Sequence, residues 1–200
     1  MTVMNMRADE HHVPMTVDDL ERLPDDGRRY ELVDGSLDVS PSPAFKHSDI
    51  ESRLHLHLGN TAPDEYRVLQ GAGYNFNGDR THHRIPDLSV IRVEDSQEPY
   101  LTRPPLLAIE VVSPSSALRD YHTKTSEYAK FGIAAYWIVN PTMDEPVIVE
   151  LRLEDGDYRE VQQVLGAETF ETDFPFQIKI VPRWLADDGP WRRYIGGEGD

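Results

Sequence analysis

Leu106-Leu107-Ala108-Ile109-Glu110-Val111-Val112 constrains the fold of this chain more than any other stretch. An apolar run of this length reads as a strand covered on both faces. A carboxylate interrupts it. An unpaired carboxylate in an apolar layer is costly, so Glu110 requires a cation or a proton beside it.

Two neighbouring segments offer partners. Ile85-Pro86-Asp87-Leu88-Ser89-Val90-Ile91 lies in a strand expected over 84–92, its entry held extended by the proline, and Ile85, Asp87, Ser89 and Ile91 share one face. Residues 116–132 read as a helix with a serine at the entry and a glycine at the exit. On it Tyr121, Lys124, Tyr128 and Phe131 fall along one apolar face. The composition is relevant here, because Lys46, Lys124, Lys130 and Lys179 are the only lysines among twenty basic residues. A lysine on an inner face can snorkel to water. Two inward carboxylates on the preceding strands favour the alternative, an ammonium directed at the sheet. Asp87, Glu110 and Lys124 brought together would suit a divalent cation such as Mg²⁺, with the lysine steadying a developing anion.

The same residues carry a family resemblance. Pro86-Asp87, the strand ending Glu110-Val111-Val112-Ser113-Pro114-Ser115, then Arg119-Asp120, Lys124, Gly132-Ile133 and Tyr136-Trp137-Ile138-Val139-Asn140-Pro141 resemble the Uma-type restriction endonuclease family of the PD-(D/E)XK nuclease superfamily. Upstream, Met15-Thr16-Val17, the run from Arg29 to Gly35, and Ser40-Pro41-Ser42-Pro43 followed by His47 extend the likeness. It covers residues 15–185, most specifically 106–141. The resemblance implies an α/β (α+β) restriction-endonuclease-like fold, a central mixed sheet flanked by helices, with a C-terminal β-hairpin extension. It implies catalytic roles for Asp87, Glu110 and Lys124, and a Mg²⁺ or Mn²⁺ ion held by Asp87, Glu110 and the Val111 carbonyl. In the commonest superfamily pattern the lysine lies two residues after the acid, where this chain has Val112; Lys124 matches the family's displaced lysine. Ala135 and Asn140 depart from the glutamate and aspartate usual in the family around the Tyr-Trp pair. The activity implied is Mg²⁺-dependent hydrolysis of phosphodiester bonds in DNA. The alternative is a catalytically inactive binding or assembly protein on the same fold.

Net charge opposes a nucleic-acid partner at first sight. Thirty-six acidic residues against twenty basic give −16, whereas nucleic-acid binders are usually basic. High Asp and Glu with little Lys is also what adaptation to high salt produces, and screening there shortens the reach of repulsion. Two hundred residues at 38% hydrophobic content suffice for one domain, expected over 15–185 between tails at 1–14 and 186–200, the second with Trp191 and Tyr194 as candidate anchors. No cysteine and no apolar run near eighteen residues point to a cytoplasmic protein without a membrane span. Cutting two strands with one site per chain would suit a homodimer. A glycosidase reading of the acid pair needs no inward lysine, and an acidic setting keeps a lysine nucleophile protonated.

The remaining elements follow local signals. Thr16 and Asp19 form a capping box, and Asp34-Gly35 turns a hairpin whose first strand holds Glu31, either a third carboxylate near the metal or an exposed strand residue. A helix is expected over 47–58, striped by Ile50, Leu54 and Leu58 and stopped by Gly59-Asn60, with His47 at its entry either facing a phosphate or serving the helix terminus. Strands are expected over 66–70, 74–76, 135–139, 147–153, 158–165 and 174–180. His11-His12 reads as part of a tail, and His55 with His57 as residues on different helical faces.

Overall fold

The computed structural model describes residues 13–114, 116–141 and 145–197; the expected tail through His11-His12 and the final acidic residues lie outside them. Helix α1 (Val17–Leu20) opens on the expected capping box, with the Thr16 amide and hydroxyl donating to Asp19 Oδ2 at 2.9 and 3.1 Å. Strands β1 (Arg29–Val33) and β2 (Ser36–Ser40) form the hairpin. Its turn needs two left-handed residues, supplied by Asp34 at φ 49° and Gly35 at φ 78°. Helix α2 (Phe45–Thr61) follows, then β3 (Tyr66–Gln70), β4 (Tyr74–Asn75), β5 (His83–Arg84) and β6 (Leu88–Arg92). The acidic run is β7 (Leu107–Val111). A π-helical turn, Arg119–Thr123, leads into α3 (Lys124–Phe131), which ends on left-handed Gly132. After β8 (Ala135–Asn140) come β9 (Val147–Glu154), β10 (Asp157–Leu165), β11 (Phe170–Thr172), β12 (Ile178–Ile180), α4 (Arg183–Ala186) and α5 (Trp191–Tyr194).

The strands form a six-stranded mixed sheet in the order β10-β9-β8-β7-β6-β3, a four-stranded sheet β2-β1-β5-β4, and the pair β11-β12. Among the described strands only β7 and β8 pair in parallel, joined through α3, as the strand–helix–strand pattern requires. This is the restriction-endonuclease-like α+β architecture. The β9–β10 hairpin continues the central sheet, and β10 forms its edge.

Alternation along β7 separates two cores. Leu107, Ile109 and Val111 pack with Ile50, Leu54 and Leu58 of α2, while Ala108 and Val112 pack with Tyr128 of α3. Glu110 therefore faces α3. Since β6 and β7 are antiparallel, the start of β6 and the end of β7 meet at one end of the sheet.

Several boundaries differ from the sequence reading. The helix expected to stop at Gly59 runs to Thr61: one glycine costs a helix only about 1 kcal/mol, whereas Pro63 forces Ala62 into the extended conformation. The strand expected over 84–92 is broken at Pro86, which lacks an amide donor, and its two parts join different sheets. The strand expected over 174–180 begins only at Ile178, beyond Pro175, and pairs with β11. The segment expected as a tail from 186 is docked as far as it is described. Ile195 is buried, its carbonyl accepts from the Val181 amide at 2.8 Å, and the Arg53 guanidinium lies over the Trp191 ring while donating to the Asp187 carbonyl. Among the described residues, no helix is long and apolar enough to cross a membrane.

Candidate active site

Glu110 projects from β7 into the layer beneath α3, where its side chain is 3% exposed. Two donors converge on its Oε1: the Lys124 ammonium at 2.6 Å and the Tyr128 hydroxyl at 2.5 Å. The π-helical turn contributes to this meeting. An i→i+5 bond from the Lys124 amide to the Arg119 carbonyl inserts one residue into the helical register, and Asp120 and Lys124 both turn toward the sheet, 3.6 Å apart. Burial pushes Glu110 above the ordinary carboxylate range, with Asp87, Asp120 and Glu31 adding to the rise and Lys124 opposing it. Burial alone would lower Lys124. The carboxylates around it, Glu110 first, instead raise it above its ordinary value and keep it an ammonium.

Asp87 stands just before β6, after the proline that breaks the strand. Its Oδ2 accepts from the Val111 amide at 2.8 Å, tying the entry of β6 to the end of β7. Its Oδ1 accepts from Arg29 Nη1 at 2.5 Å, and His47 Nε2 lies 3.3 Å from Oδ2. Burial acts to raise Asp87, but the His47 contact and the Arg29 and Lys124 charges hold it well below the usual range. Glu31 is buried against the same cavity, with one oxygen taken by the Ile85 amide at 2.7 Å and the other by Arg84 at 3.2 Å. The strand break at Pro86 frees the Ile85 amide for that bond.

Arg84 ties the layers together. It donates to Glu31 and Asp38 of the hairpin through Nη1 and to both oxygens of Glu127 on α3 at 2.7 and 3.0 Å. Such a fork fixes orientation as well as charge. Arg119 adds a second strut, from the π-helical turn to Asp38 and Ser40 of β2.

The cavity at this end of the sheet measures about 310 Å³. Its lining includes the carboxylates Glu31, Asp87, Glu110 and Asp120 against the cations Arg29, Arg119 and Lys124, with His47 beside them. Glu51, on α2, adds a further buried acid. Glu51 Oε1, His47 Nδ1 and Asp120 Oδ1 are buried atoms without a hydrogen-bond partner among the described residues. A carboxylate excess around the cavity, with buried carboxylate oxygens on Glu51 and Asp120 left without a hydrogen bond among the described residues, fits a divalent cation.

The sequence-selected residues Asp87, Glu110, Val111, Lys124 and Glu31 thus line one cavity. Arg29, Glu51 and Asp120 were not selected, and His47 was read only as a phosphate-facing or helix-terminus residue; all four complete the lining of the cavity or its electrostatics. A signal for two of them existed: His47 and Glu51 continue the buried face of Leu54 and Leu58 toward the start of α2, at i, i+4, i+7 and i+11.

Two acids and a buried lysine at the end of a mixed sheet, enclosed by α2, α3 and a small second sheet, define a protein of the restriction-endonuclease-like class. Residues 17–181 match the family model Uma2, described as "Putative restriction endonuclease", and the chain belongs to that family. Its fold is similar to the crystal structure of a protein from Anabaena variabilis described as a putative nuclease belonging to DUF820. The TM-score is 0.63 at 20% identity, covering 80% of this chain and 89% of that one. At that identity the likeness speaks for the fold alone. No curated protein matches the chain.

Proposed function

We propose that the chain is an endonuclease that hydrolyses phosphodiester bonds in DNA with Mg²⁺ or Mn²⁺, and that Asp87, Glu110 and Lys124 form its catalytic centre. The observation that carries this reading is the convergence of Lys124 on Glu110 at 2.6 Å beside an Asp87 anchored to the Val111 amide. Asp87 and Glu110 would hold the cation together with the Val111 carbonyl, because the amide and carbonyl of one strand residue point to the same edge. A divalent cation bound there supplies Lewis acidity toward a phosphodiester and lowers the pKa of water. Lys124, kept protonated by its carboxylate neighbours, is a fixed positive charge rather than a base, and it stabilises negative charge developing on the phosphate oxygens. Arg29 and Arg119, about a quarter exposed, supply the cations that orient a phosphate at the cavity mouth. Tyr128 fixes the Glu110 carboxylate, and Arg84 fixes the helix that carries Lys124.

A second reading, a non-catalytic binding protein on the same fold, is favoured by the Arg29 guanidinium already bonded to Asp87 and by the net charge of −16. Cleavage of supercoiled plasmid separates the two. The nuclease reading expects nicking with Mg²⁺ or Mn²⁺, none with EDTA, and none in Asp87→Ala. It also expects a loss of roughly 30- to 1000-fold in Lys124→Ala, the range for an electrostatic donor contributing about 2–4 kcal/mol. Cleavage that survives EDTA, or is equal in both variants, would point to a contaminant.

A further inference from the structure

We propose that Arg29 makes cation binding conditional on substrate: its guanidinium covers Asp87 in the free protein and is drawn off by an incoming phosphodiester, which opens Asp87 to the divalent ion. The inference rests on reading Asp87 and Glu110 as cation ligands, and it assigns Arg29 as the positioning residue that regulates them.

Both acids are held by cations of the protein, but not in the same way. Lys124 and Tyr128 both bond Oε1 of Glu110, so an ion on the other oxygen displaces neither. Asp87 is less open. Its Oδ2 accepts from the Val111 amide and lies 3.3 Å from His47, and its Oδ1 accepts from Arg29 Nη1 at 2.5 Å. A divalent ion bonds a carboxylate oxygen at about 2.0–2.6 Å, so an ion on Oδ1 would stand within about 5 Å of that nitrogen in any geometry. Like charges that close repel strongly in a buried setting. Either the ion or the guanidinium therefore holds Oδ1.

Of the two protein cations, Arg29 is the one with somewhere to go. Its side chain is 25% exposed, against 3% for Lys124. Among the described residues the guanidinium makes two hydrogen bonds, to Asp87 and to the Ile85 carbonyl at 3.2 Å, both through Nη1. Nη2 lies 3.8 Å from Glu51, a charge contact and not a hydrogen bond. Nε and Nη2 thus make no hydrogen bond among the described residues, and they form the side of the fork that a phosphate takes bidentately. The neighbouring guanidiniums are engaged: Arg84 forks onto Glu127, and Arg119 onto Asp38 and Ser40. When Arg29 turns to a phosphate, Glu51 keeps His47 at 3.3 Å, so it is not left without a partner. Arg29 lines the same cavity as Asp87 and Glu110, so a phosphodiester that engages it is already beside the cation position. By linkage, whatever factor the phosphodiester adds to the affinity for the ion, the ion adds to the affinity for the phosphodiester.

The test is the Mn²⁺ affinity of the full chain, read by the electron paramagnetic resonance of free Mn²⁺. It is measured alone and with a phosphoramidate DNA duplex, which keeps the backbone charge and resists hydrolysis; ion bound by the duplex alone is subtracted. In the wild type the duplex should tighten Mn²⁺ about tenfold or more, the size of an ordinary coupling between sites. A methylphosphonate duplex of the same sequence, whose backbone is uncharged, should leave the affinity unchanged. Arg29→Gln should bind Mn²⁺ about tenfold tighter than the wild type without DNA and gain less than about twofold from the charged duplex. Arg119→Gln removes the same charge from the cavity wall without uncovering Asp87, and should tighten Mn²⁺ less than about threefold in the absence of DNA. If Arg29→Gln is unfolded by circular dichroism, Arg29→Lys decides the outcome: a point charge without a fork should gain less than about threefold from the duplex. Equal Mn²⁺ affinity in the wild type and Arg29→Gln, or an equal gain from the duplex in the wild type and either Arg29 variant, would overturn the proposal and leave the nuclease reading standing. No Mn²⁺ bound in any form would overturn both.

Discussion

Replacing Arg84 with methionine removes the charge that joins the hairpin sheet to α3, and the structure indicates where the cost falls. Arg84 is 1% exposed and serves Glu31, Asp38 and Glu127 at once. Asp38 would keep Arg119 at 3.0 Å, and Glu127 would keep His82 at 3.6 Å. Glu31 would keep only the Ile85 amide, in a position 2% exposed. Removing one partner of a buried ion pair costs about 3–5 kcal/mol, because the other charge stays buried. For a chain of this length that corresponds to a fall in Tm on the order of 10 °C. Urea unfolding followed by circular dichroism measures it directly. The paired variant Arg84→Met with Glu127→Leu should cost at least about 1 kcal/mol less than the two single changes summed, since both act on one network. A loss below about 1 kcal/mol in Arg84→Met, or strict additivity in the pair, would refute the view of Arg84 as the tie that positions the Lys124 helix.

Stability should also fall in mild acid through His83, a neutral ring whose Nδ1 lies 2.7 Å from Asn75 Oδ1. Burial, with Arg80 adding and Glu31 opposing, holds its pKa down to about 4, so stability is complete above about 6.5 and is lost as pH falls from there toward 4. The loss is about 3 kcal/mol; urea unfolding at pH 7.5 and 4.5 should show it in the wild type and not in His83→Gln. Tyr128→Phe removes a buried donor from Glu110 and should destabilise by about 1.5–3 kcal/mol in the same assay at pH 7.5; no change would argue that the carboxylate does not need the hydroxyl. Mn²⁺ at a hundred times its dissociation constant should stabilise the wild type by about 2.7 kcal/mol per bound ion, and Asp87→Ala should show no such gain in a thermal melt.

Much of the central site was legible because polar residues stood out in an apolar frame. Glu110 interrupts an apolar run that reads as a covered strand, and Lys124 shares a helical face with Tyr128, so both are directed into the layer between α3 and β7, where the fold brings them to 2.6 Å. What escaped the sequence was long-range or lay in the backbone. Arg29 meets Asp87 from 58 positions away, and nothing near either residue announces the pairing. The π-helical turn at Arg119–Thr123 has no mark in the sequence pattern, and Asp120, which stood there only as part of the Arg119-Asp120 likeness, is buried in it. Pro86 was visible, but it was weighed as the entrance to a strand; its larger effect was to free the Ile85 amide for Glu31. Trp191 and Tyr194 stood out as candidate anchors of the C-terminal segment, but where it docks was not legible, because the surface that receives it, around Arg53 and Val181, is assembled only by the fold.

The central claim is that Asp87 and Glu110 hold a divalent cation within reach of Lys124, and anomalous diffraction from crystals grown with Mn²⁺ tests it most directly. The expected result is a peak on the order of 2.0–2.6 Å from a carboxylate oxygen of each acid and from the Val111 carbonyl. Crystals that keep Lys124 on Glu110 and Arg29 on Asp87, with no anomalous peak in the cavity at millimolar Mn²⁺, would contradict it.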